Sequence, residues 1–137
     1  MNIFTICSDV FQKATAELAV EGLTRESASE IFTKRLAGSL ERLFKEVVVQ
    51  HKLTTPAGKA PGLGTYYRTI RDAKGGSGSC SGSGVFDEHG IVQAMDKFCS
   101  HRNSVVHEDV QHAVPTIRQH ALTCGKVLDA LKIAYAM

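Results

Sequence analysis

The strongest constraint on this chain is the spacing of apolar residues near its C-terminal end. Val110, Val114, Ile117, Ala121, Cys124, Leu128, Leu131 and Tyr135 follow one another at steps of four and three residues without a miss. That period puts them on one stripe of a helix, and a stripe of this length has to be covered by other elements. It also suits a helical partner lying nearly parallel or antiparallel to it. Pro115 falls inside the run, which predicts either a first-turn position or a kink.

Three further segments repeat the signature. Ile3, Cys7, Val10, Ala14 and Leu18 share one face of a helix expected to end near Gly22. Thr24 can cap a second helix, with Glu26 and Ser27 in its first turn and Phe32, Leu36, Leu40, Leu43 and Val47 as its stripe, running to about Lys52. Ile91, Met95 and Phe98 form a third stripe. The stretch LTTPAGKAPGLG, rich in proline and glycine, reads as a loop, and GTYYRTIRDAK after it reads as a short helix. Apolar alternation over five or more residues is absent, so no strand is expected. The predicted fold is all-α, an up-and-down four- to five-helix bundle. At 137 residues it forms a single domain, 1–137, because the length suits one core rather than two.

Residues 75–84, GGSGSCSGSG, bury nothing and leave the backbone free, so they are expected to form a flexible surface connector with Cys80 exposed in its middle. The run looks like an engineered linker that replaces a native loop or joins two segments; a natural Gly/Ser loop is the other reading. Cys7, Cys99 and Cys124 read as small buried hydrophobes. Four cysteines without a C-x-x-C pair suggest neither a zinc site nor a disulfide framework. No cofactor and no metal is expected.

Hydrophobic residues make up 43% and charged residues 22%, which argues against global disorder. Lys plus Arg number 16 against 14 Asp plus Glu, so the formal charge of +2 makes no electrostatic case for or against nucleic acid. The first twenty residues mix Asp9, Gln12, Lys13 and Glu17 into their apolar positions, unlike a signal peptide. No window approaches the roughly 18 apolar residues of a membrane span. A cytoplasmic protein without a membrane partner is the expectation.

Local chemistry is concentrated in HRNSVVHED. The position four residues after Phe98, on the third apolar stripe, is Arg102. A buried guanidinium is unfavourable unless paired, so this arginine is either a rim residue or part of a polar site. Asn103 follows at once and His107 comes five positions after Arg102. On an unbroken helix five steps would turn Arg102 and His107 about 140° apart. Asn103 and Ser104 are poor helix-interior residues and good caps, so the third helix is expected to end there and a turn to fold His107 back. Arginine holds a fixed charge near phosphate oxygens and histidine moves a proton near neutral pH. Together they suit RNA cleavage, in which the 2′-hydroxyl serves as nucleophile and neither metal nor protein nucleophile is required.

RNSVVH resembles the R-N-x-x-x-H form of the motif of HEPN domains, the higher eukaryote and prokaryote nucleotide-binding superfamily. Its place between a third and a last helix fits as well; the likeness reaches residues 1–74 only through helical pattern. The resemblance implies a HEPN-like helical bundle and a metal-independent endoribonuclease, often in toxin–antitoxin, phage-defence or RNA-processing systems. Two protomers would meet with their motifs in one cleft. Arg102 and His107 would then be catalytic and Asn103 would support them, with RNA as substrate, a homodimer as the acting form and an antitoxin or other protein as a partner. HEPN toxins paired with a nucleotidyltransferase antitoxin often carry a tyrosine two residues beyond the histidine, where this chain has Asp109. Many HEPN domains have lost catalysis and only bind, so an inactive domain that binds a protein partner or nucleotide is the alternative.

Structural readings stand beside these. Arg102 and His107 can be a helix-end pair in which His107 meets carbonyls. His101, His112 and His120 lie beside the apolar stripes and are expected in solvent, and His89 reads as a helix-start feature. Tyr66, Tyr67, Arg68 and Arg71 fit a short helix covering the core better than an RNA-contacting patch. Lys34, Arg35, Glu41, Arg42, Lys45 and Glu46 look like the wet face of the second helix.

Overall fold

The computed structural model describes residues 2–56, 61–73, 91–108 and 110–135. The Gly/Ser run with Cys80, as well as His89 and Asp109, lie outside the described residues. The described chain is all-helical: α1 (Ile3–Leu18), α2 (Arg25–Ile31), a π-helical stretch (Phe32–Ala37), α3 (Gly38–Gln50), α4 (Leu63–Ala73), α5 (Ile91–Glu108) and α6 (Val114–Tyr135). The segments α2, π and α3 run on without a break, since the junction residues Phe32 and Gly38 both keep right-handed helical dihedrals. The described residues therefore form a bundle of five rods.

The apolar stripes explain how the rods meet. In the long second rod Phe32, Leu36, Leu40, Leu43 and Val47 are all fully buried. Each such side chain contributes roughly 1.5–3 kcal/mol relative to exposure. Thr24 caps the rod as expected, its hydroxyl oxygen accepting the Ser27 N–H at 3.1 Å. The π stretch was not foreseen from the period of the stripe. The rod closes at Gln50, and Lys52 adopts a left-handed φ of 53° at the turn that follows.

The first helix stops at Leu18, earlier than the sequence suggested. Arg118 of α6 accounts for this: its Nε donates to the Leu18 carbonyl at 2.7 Å and its Nη2 to the Val20 carbonyl at 3.4 Å. A long-range side chain thus satisfies carbonyls that another helical turn would have used.

Helix α4 covers the core, as its composition suggested, burying Leu63, Tyr67 and Ile70 against α3. The Tyr67 ring lies 6.0 Å from that of Phe44, and Arg71 sits over the Tyr67 ring at 5.6 Å. The phenol of Tyr135 donates to the Ile70 carbonyl at 2.8 Å, tying the end of α6 to α4.

Helix α6 buries Ile117, Ala121, Cys124, Leu128, Leu131 and Tyr135, but the first residue of that stripe is excluded from it. Val110 precedes the helix and is 39% exposed. Pro115 is the reason: a helix begun at Val110 would press its ring against the carbonyl of residue 111. Beginning at Val114 instead puts the proline in the first turn, where a missing N–H is harmless and no kink results. Cys7 and Cys124 are buried, whereas Cys99 is only half-buried. Among the described residues no helix is long and apolar enough to cross a membrane.

Candidate functional site

Helix α5 carries the three candidate residues, and it does not end where expected. It continues through Asn103 and Ser104 to Glu108. Both residues find hydrogen bonds inside the helix instead of terminating it. The Ser104 hydroxyl donates to the Ser100 carbonyl at 3.1 Å, and the Asn103 side-chain oxygen accepts from Arg102 Nη1 at 3.3 Å. The chain turns only after Glu108, where the Val110 N–H donates to the Ser104 carbonyl at 3.2 Å.

An unbroken helix decides the geometry. Arg102 and His107 leave α5 about 140° apart, so the backbone does not fold one onto the other. No hydrogen bond joins them. Arg102 nevertheless follows the stripe of Ile91, Met95 and Phe98: it is half-buried, with its guanidinium drawn round to the Asn103 amide. His107 is exposed one turn beyond Asn103, about 40° away round the helix. The structure thus brings Arg102 and Asn103 into contact and leaves His107 as the next residue along Asn103's face.

That face borders a polar groove of about 550 Å³ between α4 and α5. Tyr67 and Arg68 line its α4 wall, and Asp96, Cys99, Asn103 and Glu108 its α5 wall, so two carboxylates share it with one guanidinium; Arg102 and His107 lie outside its lining. Burial pushes the Cys99 thiol up to about 11; the Arg68 and Arg102 guanidinium groups pull it down and the Asp96 carboxylate pushes it further up, so charges of both signs bear on this thiol. Burial thus disfavours the thiolate form of Cys99.

The other side of α5 holds a feature that contradicts the sequence reading. His101, His112 and His120, expected in solvent, form one cluster. His101 Nδ1 lies 2.7 Å from His120 Nε2, and the His101 and His112 rings stack at 4.0 Å with a 9° angle between planes. His120 is 3% exposed. Its ring stacks on Phe32 at 4.9 Å and meets the edge of Phe98 at 5.4 Å. The His112 backbone N–H donates to the Ser29 hydroxyl at 3.4 Å, while its Nε2 is buried without a hydrogen-bond partner. Burial, followed by the neighbouring imidazoles and Lys97, lowers His120 to about 4. His101 is lowered by burial, then by His112 and Lys97. One sequence signal pointed here: His101 lies three residues after Phe98, and His120 three after Ile117, which places both on the flanks of buried stripes.

No family model, no curated protein and no solved structure matches the chain.

Proposed function

We propose that the chain is a metal-independent endoribonuclease of HEPN type, acting as a dimer, with Arg102, Asn103 and His107 as its working residues. The observation that carries this reading is the Arg102–Asn103 hydrogen bond, with Asn103 lining a polar groove that also receives Arg68 and the exposed His107 one turn further along the Asn103 face. Two guanidinium groups supply fixed positive charge for a phosphodiester and the pentavalent transition state derived from it. Asn103 holds the Arg102 fork in place and presents an amide N–H₂ to the same phosphate.

The reaction balances without any group from outside the chain and its RNA. The 2′-oxygen attacks the adjacent phosphorus and gives up its proton to a neutral imidazole. The P–O5′ bond breaks, and the leaving 5′-oxygen takes a proton from an imidazolium, which leaves a 2′,3′-cyclic phosphate and a 5′-hydroxyl. One His107 performs one of these transfers; a second copy of the chain brings the other. Val106 and Val110, 45% and 39% exposed, flank His107 and give such a contact an apolar border. A role in a toxin–antitoxin or phage-defence system, with an antitoxin or other protein partner, belongs to the same proposal.

A second reading has its own support. Because Arg102 and His107 diverge around α5, a single chain does not converge them on one phosphate. A catalytically silent helical domain that binds a protein or nucleotide through the α4–α5 groove would have the same geometry. The two readings separate when purified protein is incubated with single-stranded RNA in the presence of EDTA. Cleavage that disappears in both Arg102→Ala and His107→Ala, with the thermal midpoint unchanged, supports the nuclease. An intact substrate at every protein concentration supports the silent domain.

A further inference from the structure

We propose that His101, His112 and His120 form a proton-sensitive latch that fastens the C-terminal half of α5 and the 110–113 connection to α6 while neutral, and releases them on acidification. The inference does not depend on the nuclease reading.

The three rings come from three segments: His101 from α5, His112 from the connection and His120 from α6. At 2.7 Å, His101 Nδ1 and His120 Nε2 share a single proton, one ring donating and the other accepting. The pair can hold one extra proton between its rings, but a second would set two N–H donors against each other. The third ring aggravates this, because His112 lies flat on His101 at 4.0 Å and disfavours a charge on it.

The surroundings offer no relief. The face of His120 rests on Phe32 of the π stretch and its edge on Phe98 of α5, neither of which solvates a cation as water does. From α2 comes only the neutral Ser29 hydroxyl, which accepts from the His112 backbone. Among the described residues, the charges that bear on His101 and His120 are Lys97, one turn back on α5, and the imidazoles themselves, and all disfavour another positive charge.

Metal binding is the rival use for such a cluster, and the geometry opposes it. A metal ion lies in the plane of each imidazole that ligates it, and the nearly parallel planes of His101 and His112 share no such point. Among the described residues no group of three or more His, Cys, Asp or Glu is placed to hold a metal ion.

His120 titrates lower in the folded than in the unfolded chain, so the unfolded chain takes up the proton first. The stabilisation is therefore complete above about pH 6.5 and is lost progressively as pH falls towards about 4. Between pH 7 and pH 5 this one group shifts the folding equilibrium by about 20-fold towards the unfolded chain.

The test is a pH titration of the full chain followed by imidazole NMR, with thermal midpoints measured in parallel for the wild type, His120→Phe and His101→Gln. His120 is expected to remain neutral until pH approaches about 4. The wild type should also lose more thermal stability between pH 7 and 5 than either variant. The wild-type spectrum alone decides if a variant fails to fold. A His120 resonance titrating near 6.5 overturns the latch, as does an acid loss equal in all three proteins. A thermal midpoint raised by zinc in the wild type and not in His120→Phe also overturns it, in favour of a metal site.

Discussion

His101 and His107 stand on the same helix, six residues apart, which turns them about 120° from each other. His101 faces α6, bonded to one imidazole and stacked on another. His107 faces solvent one turn beyond Asn103, whose amide oxygen accepts from Arg102. What separates them is the surface each meets. On the α6 side, aromatic packing removes water and makes a positive imidazole unfavourable. On the Asn103 side the His107 ring is exposed to water. A single helix therefore carries one histidine held in a cluster and one in solvent, and position relative to the apolar stripe sorts them.

The sharpest way to break this comparison is to remove the exposed histidine. Under the proposed function, His107→Ala should lower RNA cleavage by about 10²–10⁴-fold, the usual contribution of a positioned acid or base. Because the side chain is exposed, stability should stay within about 0.5 kcal/mol of the wild type in a urea titration. A large stability loss would show that His107 supports the fold instead.

Removing the floor of the structural cluster should act the other way. Phe32 is fully buried beneath both Phe98 and His120. Phe32→Ala should therefore cost about 3–5 kcal/mol of stability, read from the shift in denaturant midpoint. It should also return His120 towards an ordinary imidazole titration as water enters. If the midpoint moves by less than about 1 kcal/mol, the ring is not the support described here.

A milder perturbation tests the rod that carries Phe32. Thr24→Ala removes the hydroxyl that accepts the Ser27 N–H and should cost about 1 kcal/mol, seen in the same titration. The smallest effect is expected for Lys34→Ala. Its pair with Glu30 joins two side chains 72% and 57% exposed, so the loss should stay below about 0.5 kcal/mol and vanish in high salt.

Much of the bundle was legible before any coordinates. Most residues of the stripes through Leu18, Leu43, Phe98 and Leu131 are buried, because a period of 3.6 has few competing explanations in a chain of this composition; Ile3, Val10 and Val114 are only part-buried and Val110 is exposed. What escaped depended on contacts between distant residues. The end of α1 is set by Arg118, 100 residues away from Leu18. The π stretch inside the second rod left no mark on the apolar period. Asn103 and Ser104 were misread as a helix end because their propensity is local, whereas Arg102 and the Ser100 carbonyl supply partners that keep them helical. The histidine cluster escaped for the same reason: His101 and His120 are 19 positions apart, and only the packing of α5 on α6 joins them. For the candidate site, the motif identified residues on one exposed helix end but not their convergence. The backbone is helical throughout α5 and carries Arg102 and His107 off in different directions.

The most direct test of the central claim is therefore an assay of end-labelled single-stranded RNA with wild-type, Arg102→Ala and His107→Ala proteins in EDTA, with product ends identified. The account predicts fragments ending in 2′,3′-cyclic phosphate from the wild type and intact RNA from both variants. Uncut RNA in all three, or equal cutting by all three, would contradict it.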